Sequence, residues 1–209
     1  MMGVRFMYFF IKRIFDILVS LIGIIFLIPI SIIIKVLYLI SGDTASIFYS
    51  QKRIGKGGKE FKLYKYRTMV PNADIVLKEL LKQKKYKKEW EKNQKFDDDP
   101  RITKVGKILR KISLYEFPQF INVFIGNMSL IGPRPLVKGE LDQHNGNHEL
   151  YESVKPGISG WWAANGRSVL DYEERLELEY YYCKNCSLLL DIKCIFKTIK
   201  VIICRTGAK

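Results

Sequence analysis

The sequence has little cysteine and histidine, and this scarcity limits the kinds of site that it can build. The four cysteines include one Cys-x2-Cys pair, Cys183 and Cys186, without the second pair that a four-cysteine zinc site needs. Four cysteines in a chain of 209 residues also do not suggest a disulfide scaffold. The two histidines, His144 and His148, flank an Asn-Gly-Asn turn that disfavours the helix needed to bring them together. A metal site built from cysteine and histidine is therefore not expected.

The sequence also lacks a glycine motif for phosphate binding and a balancing number of acidic residues. The glycines at 55, 57 and 58 match neither a P-loop nor a dinucleotide-binding fingerprint. Lys and Arg number 35 against 21 Asp and Glu, so the formal net charge is +14. This excess predicts an anionic partner, which is nucleic acid, an acidic membrane surface or a phosphorylated substrate. Because no nucleic-acid-binding motif is found, we predict no nucleic-acid partner.

A long apolar run near the N-terminus predicts a membrane segment. Residues 17–34 carry no charge, and this length is the lower limit for crossing a bilayer. No small-residue cleavage site follows, so the run is not an ordinary signal peptide. Lys12 and Arg13 precede the run and Lys35 follows it, which favours the cytoplasm at both ends. We therefore expect a re-entrant helix that breaks at Pro29, and a true crossing is the alternative.

The remaining sequence predicts an α+β fold that is mostly α. Alternating residues on both sides of the glycines at 55–58 predict a small β-hairpin. Helices are predicted over residues 72–95, 171–182 and 188–203. The very basic helix over 72–95 is interpreted either as a solvated face or as a surface that contacts anionic lipid headgroups. The helix over 188–203 is amphipathic, and it is interpreted either as a membrane-surface helix or as a core helix with snorkelling lysines.

Chemically specific residues are concentrated in residues 110–135. A helix with one apolar face is predicted there from residues at i, i+3, i+4 and i+7, namely Phe117, Phe120, Ile121 and Phe124. Two interpretations of Glu116 remain open. It can complete a capping box with Ser113, but Pro118 would then fall inside the helix. A helix that starts at Pro118 instead leaves Glu116 just before it, where a carboxylate can hold a metal or face a phosphate.

Three short segments carry basic side chains that could contact phosphate. Gly132-Pro133-Arg134-Pro135 is a stiff turn that aims one guanidinium, the group suited to bidentate phosphate contact. Lys65 and Arg67 lie at the end of the second predicted strand, and Arg167 follows an Asn-Gly turn. Each of these segments, taken alone, is more typical of a solvated surface turn or strand end.

Taken in order, the motifs of the chain resemble the bacterial sugar transferase family, the monotopic phosphoglycosyl transferases. The resemblance covers nearly the whole chain, from about Lys12 to Lys200. Its eight motifs are Lys12-Arg13-x-x-Asp16, Gln51-x-Arg53-x-Gly55-x-x-Gly58, Tyr64-Lys65-Tyr66-Arg67-Thr68-Met69, Asp99-Pro100-Arg101-Ile102-Thr103, Gly126-Asn127-Met128-Ser129-Leu130-Ile131-Gly132-Pro133-Arg134-Pro135, Pro156-Gly157-Ile158-Ser159-Gly160-Trp161, Asn165-Gly166-Arg167 and Ser187-Leu188-Leu189-Leu190-Asp191.

The resemblance implies a membrane-bound enzyme that transfers a sugar phosphate. Residues 1–40 would form the membrane-embedded re-entrant helix, and residues 41–209 a globular domain with amphipathic surface helices on the cytoplasmic face of the bacterial membrane. The implied reaction moves a sugar 1-phosphate from a UDP-sugar to polyprenol phosphate, and it produces a polyprenyl-diphosphate sugar and UMP. Such a reaction would begin a surface polysaccharide or glycoconjugate pathway. Membrane lipids are further implied partners, and a homodimer is an additional candidate assembly.

The resemblance also implies roles for individual residues. The family uses an Asp-Glu pair, in which the aspartate attacks phosphorus and the glutamate binds Mg²⁺. The glutamate matches Glu116, which is therefore the predicted Mg²⁺ ligand. The positions predicted to hold the substrate phosphates are Lys65, Arg67, Arg101, Arg110, Arg134 and Arg167.

Tyr115 departs from the family at the position of the nucleophile, where relatives read Ser-Leu-Asp-Glu-Leu-Pro-Gln. A phenol with a pKa near 10 is about 0.1% ionised at pH 7, which costs about 4 kcal/mol relative to a carboxylate that is already ionised. Three interpretations follow: an impaired or inactive relative that serves as a membrane scaffold or nucleotide-sugar-binding protein, an unusual oxygen nucleophile at Tyr115, or direct attack by the lipid phosphate.

Overall fold

The computed structural model describes residues 2–93, 96–166 and 170–203. Helices form most of these residues, and they are α1 Met2–Ile40, α2 Ala73–Leu80, α3 Lys84–Asn93, α4 Lys104–Lys111, α5 Gln119–Ile125, α6 His148–Tyr151, α7 Trp161–Asn165, α8 Tyr172–Asn185 and α9 Leu188–Ile203. The strands are β1 Phe48–Ile54, β2 Glu60–Tyr66, β3 Ser129–Ile131 and β4 Gly157–Ser159. The predicted fold class, α+β and mostly α, is confirmed.

Two compact units can be distinguished in the chain. The first unit comprises Met1–Ile28, Ser50–Lys65 and Glu116–Lys209, and the second comprises Pro29–Tyr49 and Tyr66–Tyr115. The predicted division at residue 40 concerns embedding in the membrane, and it stays a prediction.

Helix α1 contains the predicted apolar run. An 18-residue window within its segment Arg5–Ile40 has a mean hydropathy of 3.1, and the segment is long and apolar enough to cross a membrane. The segment stays helical through Pro29, so the helical structure is not interrupted there. The re-entrant course of α1 stays a prediction. In the first unit, α1 approaches α5 closely at Gly23, because a Cβ on this glycine would lie only 2.5 Å from the Phe120 ring.

The predicted hairpin is confirmed by β1 and β2, which pair with each other around a 3-10 turn at Lys56–Gly58. A second sheet was not predicted: β3 and β4 pair in parallel, with Ser129 opposite Gly157 and Ile131 opposite Ser159. Close packing requires glycine beside this sheet. A Cβ on Gly157 would lie 2.1 Å from the backbone nitrogen of Gly132.

The core of the first unit forms where β3 meets α8 and α9. Its buried side chains are Ile131, Val154, Tyr182, Cys183, Leu190 and Cys194. Helix α8 begins with a capping box between Asp171 and Glu174, and both predicted C-terminal helices are confirmed. In α9 the side chains of Ile192, Phe196 and Ile199 are 49%, 69% and 48% exposed. This exposure favours the interpretation of α9 as a membrane-surface helix.

The second unit contains α2, α3 and α4. The single helix predicted over residues 72–95 is wrong, because two helices, Ala73–Leu80 and Lys84–Asn93, are separated by a turn whose amides donate to carbonyls three residues back. Helix α4 is capped by Thr103, whose hydroxyl accepts from the Gly106 amide. Gly106 packs directly on the backbone of Thr68, since a Cβ there would lie 2.0 Å from the Thr68 carbonyl oxygen.

Candidate active site

A tight turn directly before α5 carries Glu116. Ser113 has a left-handed backbone with φ of 56°, and a 3-10 turn over Leu114–Glu116 follows it. Helix α5 then begins at Gln119 with Pro118 as its N-cap. The capping box between Ser113 and Glu116 is therefore not formed, and the alternative prediction of a helix start at Pro118 is confirmed. Glu116 is half-buried, and within the described residues its carboxylate forms no ion pair and no side-chain hydrogen bond.

Helix α5 packs on strand β2 through Val123, Phe61 and Leu63, and one buried side chain adds hydrogen bonds between the two elements. The Oδ1 atom of Asn122 accepts a hydrogen bond from the Tyr64 amide at 2.9 Å, and its Nδ2 atom donates to the Lys62 carbonyl at 2.7 Å. Asn122 is fully buried. Lys65 directly follows this attachment on β2 and is half-buried. The attachment therefore brings together the element that Glu116 precedes and the strand that carries Lys65.

The backbone of the loop that carries Arg134 is fixed by hydrogen bonds at both the amide and the carbonyl of this residue. The Arg134 amide donates to Oε1 of Glu179 at 3.0 Å, and the Tyr151 hydroxyl donates to the Arg134 carbonyl at 2.9 Å. The Arg53 guanidinium donates to the carbonyl of Pro135. The side chain of Arg134 is nevertheless exposed. A rigid backbone therefore presents a solvent-facing guanidinium, as the Pro-Arg-Pro motif predicted.

Glu179 lies beneath this loop and is 1% exposed. Burial raises the pKa of its carboxyl to about 7, although the Arg134 amide and the nearby Arg175 and Arg134 side chains act in the opposite direction. Its Oε2 atom has no hydrogen-bond partner among the described residues. A neutral carboxyl group is compatible with this site near pH 7, because the uncharged form loses less on burial.

Two of the predicted phosphate-binding arginines form ion pairs inside the second unit. The Arg67 guanidinium forms a bidentate contact with Asp43 at 2.9 and 3.0 Å, and it also donates to the carbonyls of Ser46 and Met69. These hydrogen bonds lower the pKa of the Asp43 carboxyl. Arg101 is 6% exposed and forms a bidentate contact with Asp99. The structure therefore does not support Arg67 or Arg101 as substrate contacts, since both guanidinium groups are buried in internal ion pairs.

The other predicted arginines differ in position. Arg110 is exposed in the last turn of α4, and its Nε atom donates to the Thr68 hydroxyl at 2.9 Å. Arg167 lies outside the described residues, and its predicted role stays a prediction.

The residues present fit Mg²⁺ only if the substrate supplies further ligands. Within the described part of the chain, no cluster of three or more His, Cys, Asp or Glu side chains could hold a metal. Mg²⁺ is commonly bound by one or two carboxylates together with substrate phosphates and water. Glu116 offers one carboxylate without an ion-pair partner in the described structure, which suits such a shared site.

Comparison with known proteins identifies the family. The sequence profile described as Bacterial sugar transferase matches residues 7–205. The chain belongs to the bacterial sugar transferase family. The family match covers the turn at Glu116, the Arg134 loop and both C-terminal helices.

Several relatives of this sugar transferase carry functional names. A Salmonella typhimurium protein named undecaprenyl-phosphate galactose phosphotransferase is 44% identical over 200 residues, which are 95% of this chain and 42% of that protein. The exopolysaccharide production protein ExoY of Sinorhizobium fredii is 41% identical over 198 residues, which are 94% of this chain and 87% of that protein. The galactosyl transferase CpsE of Streptococcus agalactiae is 38% identical and is covered over 43% of its length. The chain thus spans less than half of two of these relatives.

Glu179 was not among the residues predicted from the sequence of this sugar transferase. The sequence of α8 has no clear apolar face, and only the structure shows that Arg175, Glu179 and Tyr182 are buried on one side of the helix, where a carboxylate requires a partner. That partner is the Arg134 backbone, and only the folded loop reveals it.

Proposed function

We propose that the protein transfers a sugar 1-phosphate from a UDP-sugar to polyprenol phosphate at the bacterial cytoplasmic membrane. A new P–O bond joins the acceptor phosphate to the sugar-bearing phosphorus. The P–O bond to UMP breaks, and UMP leaves with the bonding electron pair. The globular part would lie on the cytoplasmic face, where UDP-sugars are found, and the product would begin a surface glycan.

One observation carries this proposal: the Glu116 carboxylate has no ion-pair partner within the described structure, although the chain is strongly basic. A carboxylate without an internal cation remains available to bind Mg²⁺ together with substrate phosphates. Glu116 precedes the helix that Asn122 fixes to β2, and the same unit presents the exposed Arg134 side chain. The names of the relatives, which refer to sugar and undecaprenyl-phosphate transfer, agree with a phosphate-binding site.

The side chains would act mainly by position and charge. Arg134 offers paired N–H donors on a braced loop, which suits the oxygens of a diphosphate. Lys65 would add positive charge near the phosphates, and Arg110 and Arg167 are proposed from their motifs alone. Mg²⁺ held by Glu116 would neutralise charge that develops on the leaving phosphate. Arg67 and Arg101 would instead stabilise the surrounding loops through Asp43 and Asp99.

Release of UMP from a panel of UDP-sugars tests the proposal. The purified protein would be assayed in detergent with undecaprenyl phosphate and Mg²⁺. We expect UMP release with at least one sugar, and a loss of at least about 100-fold in Glu116→Ala, which is the usual scale for a lost charge-stabilising group. Glu177→Ala is the matched control, since Glu177 is exposed on α8. Equal activity of Glu116→Ala and the control would exclude the proposed role of Glu116.

Tyr115 supports a second candidate function, a catalytically impaired member that binds nucleotide sugar or partner enzymes at the membrane. The family has a carboxylate nucleophile at this position, and a neutral phenol is a poorer nucleophile at pH 7. Tyr115 lies half-buried in the turn beside Glu116.

Two substitutions at Tyr115 separate these functions in the same UMP assay. A large gain in turnover in Tyr115→Asp would indicate that the natural protein is impaired. If Tyr115→Phe retains activity, the lipid phosphate attacks directly, since phenylalanine offers no oxygen. If Tyr115→Phe and Tyr115→Asp both lose activity, the phenol oxygen takes part in the reaction.

A further inference from the structure

A cavity of about 140 Å³ lies in the first unit beside the N-terminal half of α1. Four basic residues contribute to its lining: Lys12 and Arg13 from α1, Lys56 from the hairpin turn, and Lys155 just before β4. Asp16 is the acidic residue in the lining. Such a concentration of positive charge is unexpected for a cavity that serves only as a packing defect.

Two of the charged groups in the cavity are already satisfied. Lys12 forms an ion pair with Asp191 at 2.7 Å. The Asp16 carboxylate accepts hydrogen bonds from the Ser129 hydroxyl at 3.0 Å and from the Leu130 amide at 2.9 Å. These groups therefore fix α1 to the rest of the unit.

The other three cations have no carboxylate at ion-pair distance anywhere in the described structure. The Arg13 guanidinium donates to the carbonyls of Val123 and Phe124 at 2.6 and 2.7 Å, which position it without neutralising its charge. Lys56 is exposed, and its ammonium lies 5.3 Å from the centre of the Phe9 ring. Asp16 therefore compensates only part of the positive charge in this part of the cavity.

The charged form of Lys155 is energetically unfavourable, because this side chain is half-buried. Burial, followed by repulsion from Arg13, lowers the pKa of its ammonium group, and Asp16 only partly opposes these effects. Neighbouring like charges in a partly desolvated site are costly unless an anion joins them. The cavity therefore has the charge and the size of a site for a small anion.

The same turns of α1 point to the source of the anion. Phe10, Ile14 and Phe15 are 58%, 46% and 48% exposed, next to Lys12 and Arg13 in sequence. Exposed apolar side chains on the same turns of the helix as a cationic cavity match the two parts of a phospholipid, its hydrocarbon chains and its phosphate. A soluble anion would need only the cavity and would gain nothing from the apolar surface.

We propose that the cavity lined by Arg13, Lys56 and Lys155 binds the phosphate headgroup of an anionic membrane phospholipid, whose acyl chains lie along the exposed apolar side of α1. This site would be separate from the transfer reaction. Its occupant would replace the missing counter-charge and secure the N-terminal half of α1 in the membrane.

Native mass spectrometry of the detergent-solubilised protein tests the proposal. The protein would be titrated with dioctanoyl phosphatidylglycerol and, in parallel, with dioctanoyl phosphatidylcholine. We expect one retained phosphatidylglycerol and at least about tenfold weaker binding of phosphatidylcholine. Lys56→Gln with Lys155→Gln should weaken phosphatidylglycerol binding at least about tenfold, since each basic side chain contributes about 1 kcal/mol to contact with anionic lipid.

The matched control is Lys52→Gln with Lys138→Gln, which removes the same charge from two lysines that are 78% and 84% exposed elsewhere. We expect the control to bind phosphatidylglycerol within about twofold of the natural protein. Lys56→Gln alone serves if the double variant fails to fold, because Lys56 is exposed.

Three outcomes would overturn the proposal. The first is equal binding of the two lipids, and the second is equal loss in the test and control variants. The third is a different anion: full displacement of phosphatidylglycerol by inorganic phosphate, or tighter binding of a short polyprenyl phosphate at the same lysines, would assign the cavity to a soluble anion or to the acceptor substrate.

Discussion

Arg134 is exposed, but its position is set by its backbone partners, Glu179 and Tyr151. Its side chain can therefore be changed without loss of folding. We expect Arg134→Lys to raise the KM for the UDP-sugar about tenfold, because lysine cannot form the paired hydrogen bonds of a guanidinium. Steady-state UMP release gives KM and kcat, and the thermal midpoint in detergent monitors folding. A lower thermal midpoint with an unchanged KM would contradict this role.

Buried Glu179 predicts a dependence of stability on pH. Its pKa is raised to about 7 in the folded protein, from an ordinary value of 4.5. Between these values the folded state binds more protons than the unfolded state, so the free energy of unfolding falls as pH rises from about 4.5 to 7. The loss from this group amounts to about 3 kcal/mol and is complete above pH 7.

Glu179→Gln should remove this loss, because the amide stays neutral and its oxygen can still accept from the Arg134 amide. We expect the thermal midpoint of Glu179→Gln minus that of the natural protein to become larger as the pH rises from 5 to 8. Glu177→Gln, at an exposed position on the same helix, should show no such trend. Parallel curves for the natural protein and Glu179→Gln would show that Glu179 ionises normally.

At the scale of elements, the contact between α5 and β2 depends on Asn122. Alanine at this position would leave the Tyr64 amide and the Lys62 carbonyl without their partner in a buried region. We expect Asn122→Ala to lower the free energy of unfolding by about 3 kcal/mol. Asn185→Ala, which removes an exposed side chain at the end of α8, should cost less than about 1 kcal/mol. Similar thermal midpoints for both variants would refute the bridging role of Asn122.

Elements with a local signal could be predicted from the sequence. The hairpin follows from alternation around glycines, the start of α5 from Pro118, and α9 from its apolar period. The pairing of β3 with β4 could not be predicted, because two strands of three residues each leave no periodic pattern. Their pairing depends on the close approach of Gly132 and Gly157 in the folded chain.

The candidate site was predictable to the same extent. The sequence indicated Glu116 and Arg134 because a proline on each segment fixed the local backbone. It could not separate Arg134 from Arg67, since an arginine that faces solvent and one that is buried against Asp43 look alike without their partners. The difference depends on contacts that are distant in the sequence.

At the scale of the whole molecule, both flanks of the apolar run in α1 bind residues outside the helix. Lys12 pairs with Asp191, and Lys35 donates to the carbonyls of Thr44 and Ala45. Charged flanks that bind polar segments resist transfer across the hydrocarbon. We therefore predict that both ends of α1 lie on the cytoplasmic side, as a re-entrant helix requires.

Labelling of introduced cysteines on intact spheroplasts tests this topology. In a cysteine-free background, Arg5→Cys and Lys138→Cys should both resist an impermeant maleimide and should both react after lysis. Both positions are exposed in the structure. Labelling of Arg5→Cys from outside, with Lys138→Cys still protected, would indicate a true crossing instead.

The ion pair between Lys12 and Asp191 has a practical consequence for anyone who wants a water-soluble version of this protein. Tyr8 also donates to Asp191, and Tyr182 donates to the other oxygen of the same carboxylate. Deleting α1 would leave the buried Asp191 carboxylate without Lys12. It would also remove the Arg13 guanidinium, which donates hydrogen bonds to the carbonyls of Val123 and Phe124. The N-terminal half of α1 is thus a structural part of the first unit, and solubility is better sought by changing its exposed apolar side chains than by cutting the helix away.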